Sequence, residues 1–446
     1  MQAITVCFKE IEDRFLVPFY LQLQKNRLTK GKFLGDYIDL FTGKRAPQSA
    51  FVDENYPSAI KYFNVQDVKI PFLNNSYISW INPSAVKINY LEEGDLVISR
   101  VGTAGKVSIV TSTENRSAFT DNAIIIRIKD NNFINPLLCV LLLNSKFGYR
   151  QIKSAKKGTL QEVINYDTVR RVLIPEMTEK NKKYLSDLMH LVIEKHIKAI
   201  NNIFKAEQIL YEAININHNI ISEEKTYIVN SANLMDVFTP KFYYPKYLNT
   251  LKALKKKFKT IKLGEIADIK RGDEVGSENY RKYIDRRDSD IPFIRTSDLV
   301  NYEIDNYPDY YIDEEIYKEL KQDLREGDII YTKDGKIGLS AILTAEDKCI
   351  LASGLARIRI KKDLDPHYVF LVLSTNIGYY QAMQRVVIAA TLPHLQQERL
   401  GEIEIPIIND QTKDKISQLV AEAFKLKAEK KKLFREALTM VEELLK

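Results

Sequence analysis

The sequence predicts an α+β protein made of two similar, mainly β domains, each followed by a long helix, with the two helices pairing as an antiparallel coiled coil. Three observations predict it. One strand-and-turn phrase is spelled twice, as GDLVISRVGTAGKV from Gly94 and GDIIYTKDGKIGLS from Gly327, an offset of 327 − 94 = 233. Other phrases recur around it in the same order. Each half then ends in a polar stretch without Gly or Pro, in which apolar residues return every three or four positions.

The elements follow in chain order. Pro18 in RFLVPFYLQLQK matches Pro245 in KFYYPKYLNTLK (245 − 18 = 227), and FLGDYIDLFTGKRA from Phe33 matches KLGEIADIKRGDEV from Lys262 (262 − 33 = 229). Each of the latter pair holds an apolar segment running into a basic Gly turn. GDLVISR and GDIIYTK have the β-branched run of a buried strand after a Gly-Asp turn, and SAFTDNAIIIRI and ILASGLARIRI read as further strands. SKFGYRQI at 145 matches TNIGYYQA at 375 (375 − 145 = 230), and VLIPE from Val172 matches IEIPI from Ile403 (403 − 172 = 231). So small a drift fits insertions in surface loops. The expected domains are 1–176 and 226–408, with long helices over 177–225 and 409–446.

In the first helix Leu185, Leu188, Val192, His196, Ile200 and Ile203 form an apolar seam; in the second, Ile416, Leu419, Ala423, Leu426, Lys430, Leu433, Ala437, Met440 and Leu444 do so. A helix of about 35 residues is about 50 Å long, longer than a domain it would lie on, so the two are expected to pair with each other. His196 and Lys430 are expected at the edge of that seam.

Composition sets the class. A chain of 446 residues exceeds one core, and 45% apolar with 28% charged residues is ordinary for a soluble protein. A net charge of +7 suits a polyanionic partner without requiring one. Cys7, Cys139 and Cys349 are too widely spaced for a metal knuckle and give no disulfide framework, which fits the cytoplasm. Acidic residues interrupt the N-terminus before any signal-length apolar core, and the longest apolar run, PLLCVLLL at 136–143, is far too short to cross a bilayer. No cofactor, metal or membrane is expected.

The order LGDYIDLFTGK, GDLVISRVGTAG, GTLQEVINYDTVRRVLIP and then a long helix, given twice, resembles the specificity subunit of Type I restriction-modification systems over essentially the whole chain. The resemblance implies two target recognition domains, each reading one part of a split site in double-stranded DNA, separated by the paired helices. It also implies DNA adenine methyltransferase and restriction/translocase subunits as partners, with no catalysis by this chain. A reader of this kind keeps the turn glycines and varies the side chains between them. Arg100 thus becomes Lys333, Val101 becomes Asp334 and Lys106 becomes Leu339.

Phosphate contacts call for Lys and Arg on exposed loops, and base contacts for Arg, Lys, Asn, Gln or Ser at their tips. The candidates in the first half are Lys44, Arg45, Gln48, Arg100, Lys106, Lys156, Lys157 and Gln161; in the second, Arg271, Arg286, Arg287, Lys333, Lys336, His394 and Gln396. Trp80 is expected in the core. KALKKKFK, 252–259, suits phosphate or the solvated face of a helix equally. Two other readings remain. Asp334, Glu346 and Lys348 have the spacing of a Mg²⁺ nuclease triplet, although the first half has Val101, Thr113 and Asn115 there. A scaffold binding only proteins would show no salt-dependent DNA affinity.

Overall fold

The computed structural model describes residues 31–101, 104–154, 163–215, 226–230, 234, 239–273, 291–361, 364–389 and 392–445. Cys7 and the Pro18 phrase lie outside them. Two compact units divide the chain, one of Met1–Glu194 with Lys430–Lys446, the other of Lys195–Glu429, so each takes in part of both long helices.

The first unit contains β1 (Gly31–Phe33), β2 (Ile38–Thr42), β3 (Phe51–Val52), β4 (Ile60–Phe63), β5 (Ser79–Ile81), β6 (Leu96–Ser99), β7 (Val107–Ile109), β8 (Ala118–Phe119), β9 (Ala123–Ile128) and β10 (Leu173–Pro175). They form two four-stranded sheets, in the orders β2-β9-β6-β7 and β3-β5-β4-β8, with β1 paired to β10. The second unit contains β11 (Thr260–Lys262), β12 (Ala267–Arg271), β13 (Ile291–Ile294), β14 (Leu299–Val300), β15 (Glu303–Ile304), β16 (Tyr311–Ile312), β17 (Ile329–Thr332), β18 (Ser340–Ile342), β19 (Ile350–Leu351), β20 (Leu355–Ile360), β21 (Val387–Ala389), β22 (Leu392–His394) and β23 (Glu404–Pro406). Its sheet β12-β20-β17-β18 has the order and directions of β2-β9-β6-β7, and the ribbon β11-β23 answers β1-β10. A parallel pair recurs as well, β4 with β8 and β13 with β19.

The repeated phrases have structural work in common. In each Gly-Asp turn the aspartate is buried, and a guanidinium from the neighbouring strand clamps it with two bonds. Arg127 Nε and Nη2 each lie 2.7 Å from Asp95, and Arg359 Nε and Nη2 each lie 2.7 Å from Asp328. These bonds hold the guanidiniums of both arginines more firmly protonated than usual. Further along, the Gln151 amide donates to Leu173 O and accepts from Leu173 N, and Gln381 does the same to Glu404 O and N. The matching aspartate and glutamine phrases are therefore fasteners of one scaffold. Arg359→Ala is expected to lower the stability of the second unit by about 2–3 kcal/mol, below the full penalty for stranding a buried charge because Arg359 is partly solvated; a melting curve beside wild type measures it.

Two glycines are fixed by close approach. A Cβ on Gly43 would stand 1.8 Å from the Phe119 carbonyl oxygen, and one on Gly272 would stand 2.3 Å from that of Ala352. The strand after which each stands can then pass close to the neighbouring chain, where Lys44 N and Asp273 N donate to Phe119 O and Leu351 O, both at 2.9 Å.

The long helices span Glu179–Ile214 and Asp410–Leu444. In the second unit Ala199, Ile203, Ala206, Leu210 and Ile214 share a buried cluster with Ile416, Val420, Ala423, Phe424 and Leu426, and Lys195 pairs with Glu429 at 2.5 Å. The early part of one helix thus meets the later part of the other. Two expectations need correction. His196 and Lys430 are 1% and 4% exposed, inside the seam and not at its edge; the Lys430 ammonium stands 5.5 Å from the Phe72 ring centroid, so the domain covers what two bare helices would leave open. The buried stripe also runs one residue off the predicted one, through Val420, Lys427, Phe434 and Val441 in place of Leu419, Leu426, Leu433 and Met440 as its second row, although Leu426 is buried too. Lys427 is fully buried because its ammonium donates to Asn301 O at 2.6 Å. Likewise Ala199 is buried where Ile200, only partly covered, was expected.

Candidate nucleic-acid interface

Strand register brings the candidate residues of each unit to one end of its sheet. In the first unit the pairs Thr42↔Ile124, Ser99↔Ala123 and Ile98↔Val107 set the end of β2, the end of β6, the start of β9 and the start of β7 side by side. Lys44, Arg45 and Gln48, all exposed, follow β2. Arg100 follows β6; its amide donates to Asn122 O at 3.3 Å and its carbonyl accepts from Ile164 N at 3.0 Å. Lys106 leads into β7. Lys156, Lys157 and Gln161 lie outside the described residues.

The second unit repeats this end. The pairs Arg271↔Ala356, Thr332↔Leu355 and Tyr331↔Ser340 gather the end of β12, the end of β17, the start of β20 and the start of β18. Exposed Arg271 closes β12, and Lys333 and exposed Lys336 belong to the turn after β17. The β21–β22 ribbon meets that turn, since Gly335 N donates to Pro393 O at 3.0 Å and Leu395 N to Lys333 O at 2.8 Å. His394 stands there, with exposed Gln396 just beyond. Arg286 and Arg287 lie outside the described residues.

A hydroxyl fixes the turn in both units. Ser99 Oγ accepts from Gly105 N and Lys106 N at 3.1 Å each, and Thr332 Oγ1 accepts from Leu339 N at 2.9 Å while donating to Lys336 O at 2.6 Å. Gly105 and Gly338 take φ of +107° and +99°, a backbone shape that favours glycine. The same folding inward corrects two candidates: Lys106 and Lys333 are 3% and 5% exposed, not exposed at loop tips. Lys333 Nζ stands 3.3 Å from Asp334 Oδ2. Asp121 and Asn122, exposed ahead of β9, belong to this end and were not among the candidates. Their signal was the Thr-Asp-Asn turn chemistry before the AIIIRI run.

Other candidates lie elsewhere. Trp80 is half-buried in β5, opposite Val52 and Lys61. KALKKKFK falls largely on the helix Pro245–Lys257, where Lys255 pairs with Glu404 at 2.6 Å and Lys257 donates to Ile214 O at 2.7 Å. The nuclease triplet is not assembled: Lys348 pairs with Glu314 at 3.0 Å, Glu346 sits in the Thr344 turn, and Asp334 bonds His394. Among the described residues no group of three or more His, Cys, Asp or Glu could hold a metal ion, and no helix is long and apolar enough to cross a membrane.

Residues 255–433 match the family described as the Type I restriction modification DNA specificity domain. The matched segment is less than half of the chain and contains the sheet end of the second unit. Among solved structures the chain is similar to the Type I restriction-modification S subunit from M. genitalium, at 14% identity over 93% of this chain and 94% of that one, with a TM-score of 0.35. It is similar also to the HsdS subunit from Thermoanaerobacter tengcongensis, at 14% identity over 93% and 95%, with a TM-score of 0.31. No curated protein matches.

Proposed function

We propose that this chain reads a bipartite, asymmetric site in duplex DNA, one part with each unit, and brings DNA adenine methyltransferase and restriction/translocase subunits to it without catalysis of its own. One observation carries the reading. The same sheet end in both units, shaped by the same hydroxyl-fixed turn on a sheet that the same Arg–Asp clamp fastens at its other end, bears different polar side chains: Lys44, Arg45, Gln48 and Arg100 in one, Arg271, Lys336, His394 and Gln396 in the other. Basic groups there would hold phosphates, and the amides, the imidazole and the arginines would meet base edges. Lys156, Lys157, Gln161, Arg286 and Arg287 are proposed for the same role by sequence position.

Selection of bound fragments from random duplex DNA, with the methyltransferase subunit present, tests the reading. Two unlike sequence blocks around an unread spacer are expected; a palindromic consensus, or binding indifferent to salt, would overturn it. In this reading the paired helices act as a coiled coil that sets the spacer. Removing seven residues from each shortens the pair by about 11 Å, and the spacer is then expected to lose about three base pairs. The same selection on the shortened chain measures it.

A further inference from the structure

We infer that His394 reads a base in the part of the site bound by the second unit, with its orientation and tautomer set by Asp334. The inference rests on the DNA-reading function proposed above and assigns the chemistry of one contact within it. An isolated antiparallel bridge joins Asp334, in the turn after β17, to His394 at the end of β22. His394 Nδ1 bonds Asp334 Oδ1, while Lys333 Nζ approaches the other carboxylate oxygen at 3.3 Å. A carboxylate only accepts, so Nδ1 carries the hydrogen, and in the neutral form of the ring Nε2 is then the acceptor. The His394 side chain is 39% exposed, and among the described residues no hydrogen bond reaches Nε2. An outward-facing acceptor held in this way suits an exocyclic amino group, that of adenine or cytosine in the major groove.

The first unit has a different chemistry at the same place. Asp334 corresponds to Val101 (334 − 233 = 101), and the matched backbone bonds Leu395 N→Lys333 O and Ile164 N→Arg100 O make Val163 the counterpart of His394. Two valines offer no hydrogen bond. The Asp–His pair therefore belongs to the reading surface of one unit and is no part of the common scaffold, which works without it.

The test uses the full chain and a pool of random-sequence duplex DNA, with melting curves as the check on folding. His394→Ala is expected to reduce discrimination at one base pair, in one block of the enriched site, by about 5- to 100-fold and to leave the other positions unchanged. Asp334→Ala should loosen the same position, and Asp334→Asn should restore it, because an amide oxygen still accepts from Nδ1–H. His394→Gln, the milder change, should alter the preferred base there. A folded His394→Ala or His394→Gln chain with the wild-type preference at every position overturns the inference. Uniform weakening by Asp334→Ala that Asp334→Asn does not rescue overturns the positioning role. A wild-type chain that enriches no sequence overturns the DNA-reading function, and the inference falls with it.

Discussion

Gly272→Ala is expected to unfold the second unit at temperatures where the wild-type chain is fully folded. The added methyl would stand 2.3 Å from the Ala352 carbonyl oxygen and 2.4 Å from that of Leu351, and neither backbone oxygen can swing away as a side chain could. Either β12 parts from β20 or the Asp273 N→Leu351 O bond breaks, at a cost on the order of 3–5 kcal/mol. Gly43→Ala should do the same to the first unit, where the approach is closer still. Gly327→Ala is the contrast: no atom lies within 4 Å of its added Cβ, so only the φ of +85° resists, at about 1 kcal/mol. Thermal melting with limited proteolysis would separate these outcomes. Equal melting of Gly272→Ala and Gly327→Ala would show that the close approach does not govern stability.

Replacing Lys44, Arg45 and Arg271 together by Ala is expected to weaken DNA binding 100-fold or more at low salt, with the fold intact. All three are exposed and close or follow their strands, so their loss removes cationic charge and little else. Each phosphate contact contributes about 0.9 to the slope of log affinity against log salt. A fall in slope of up to about 3 is therefore expected. Titration at several salt concentrations reads it, and an unchanged slope would place the phosphate track away from this sheet end.

The fold was legible where a pattern has one physical meaning. Duplicated Gly-Asp turns with β-branched runs could only be paired strands, and they are β6 and β17 at the predicted places. Gly-free, Pro-free stretches had to be helices. What escaped was the function of polar residues inside those patterns. Asp95 and Asp328 looked like turn residues, yet each is the buried half of a clamp whose arginine lies about thirty positions away. Lys427 breaks an apolar stripe on paper, but a carbonyl 126 residues distant in sequence receives its ammonium. Of the candidate contacts, those at strand ends converge as the register requires, whereas Lys106 and Lys333 turned inward because side-chain direction in a tight turn is set by the backbone, which spacing alone does not encode.

The clamp and the reading end share a sheet but no side chains. Arg127 and Asp95 fasten β6 to β9 from one direction, while the residues that vary between the halves sit past the strand termini in four short segments. Under the proposed function, specificity on such a frame is editable: a new target could be written by exchanging a handful of residues after β2, after β6 and before β9, while the framework stays as it is. A host that grafts these segments between chains would acquire new addresses in its DNA without designing a new protein, and a laboratory could do the same.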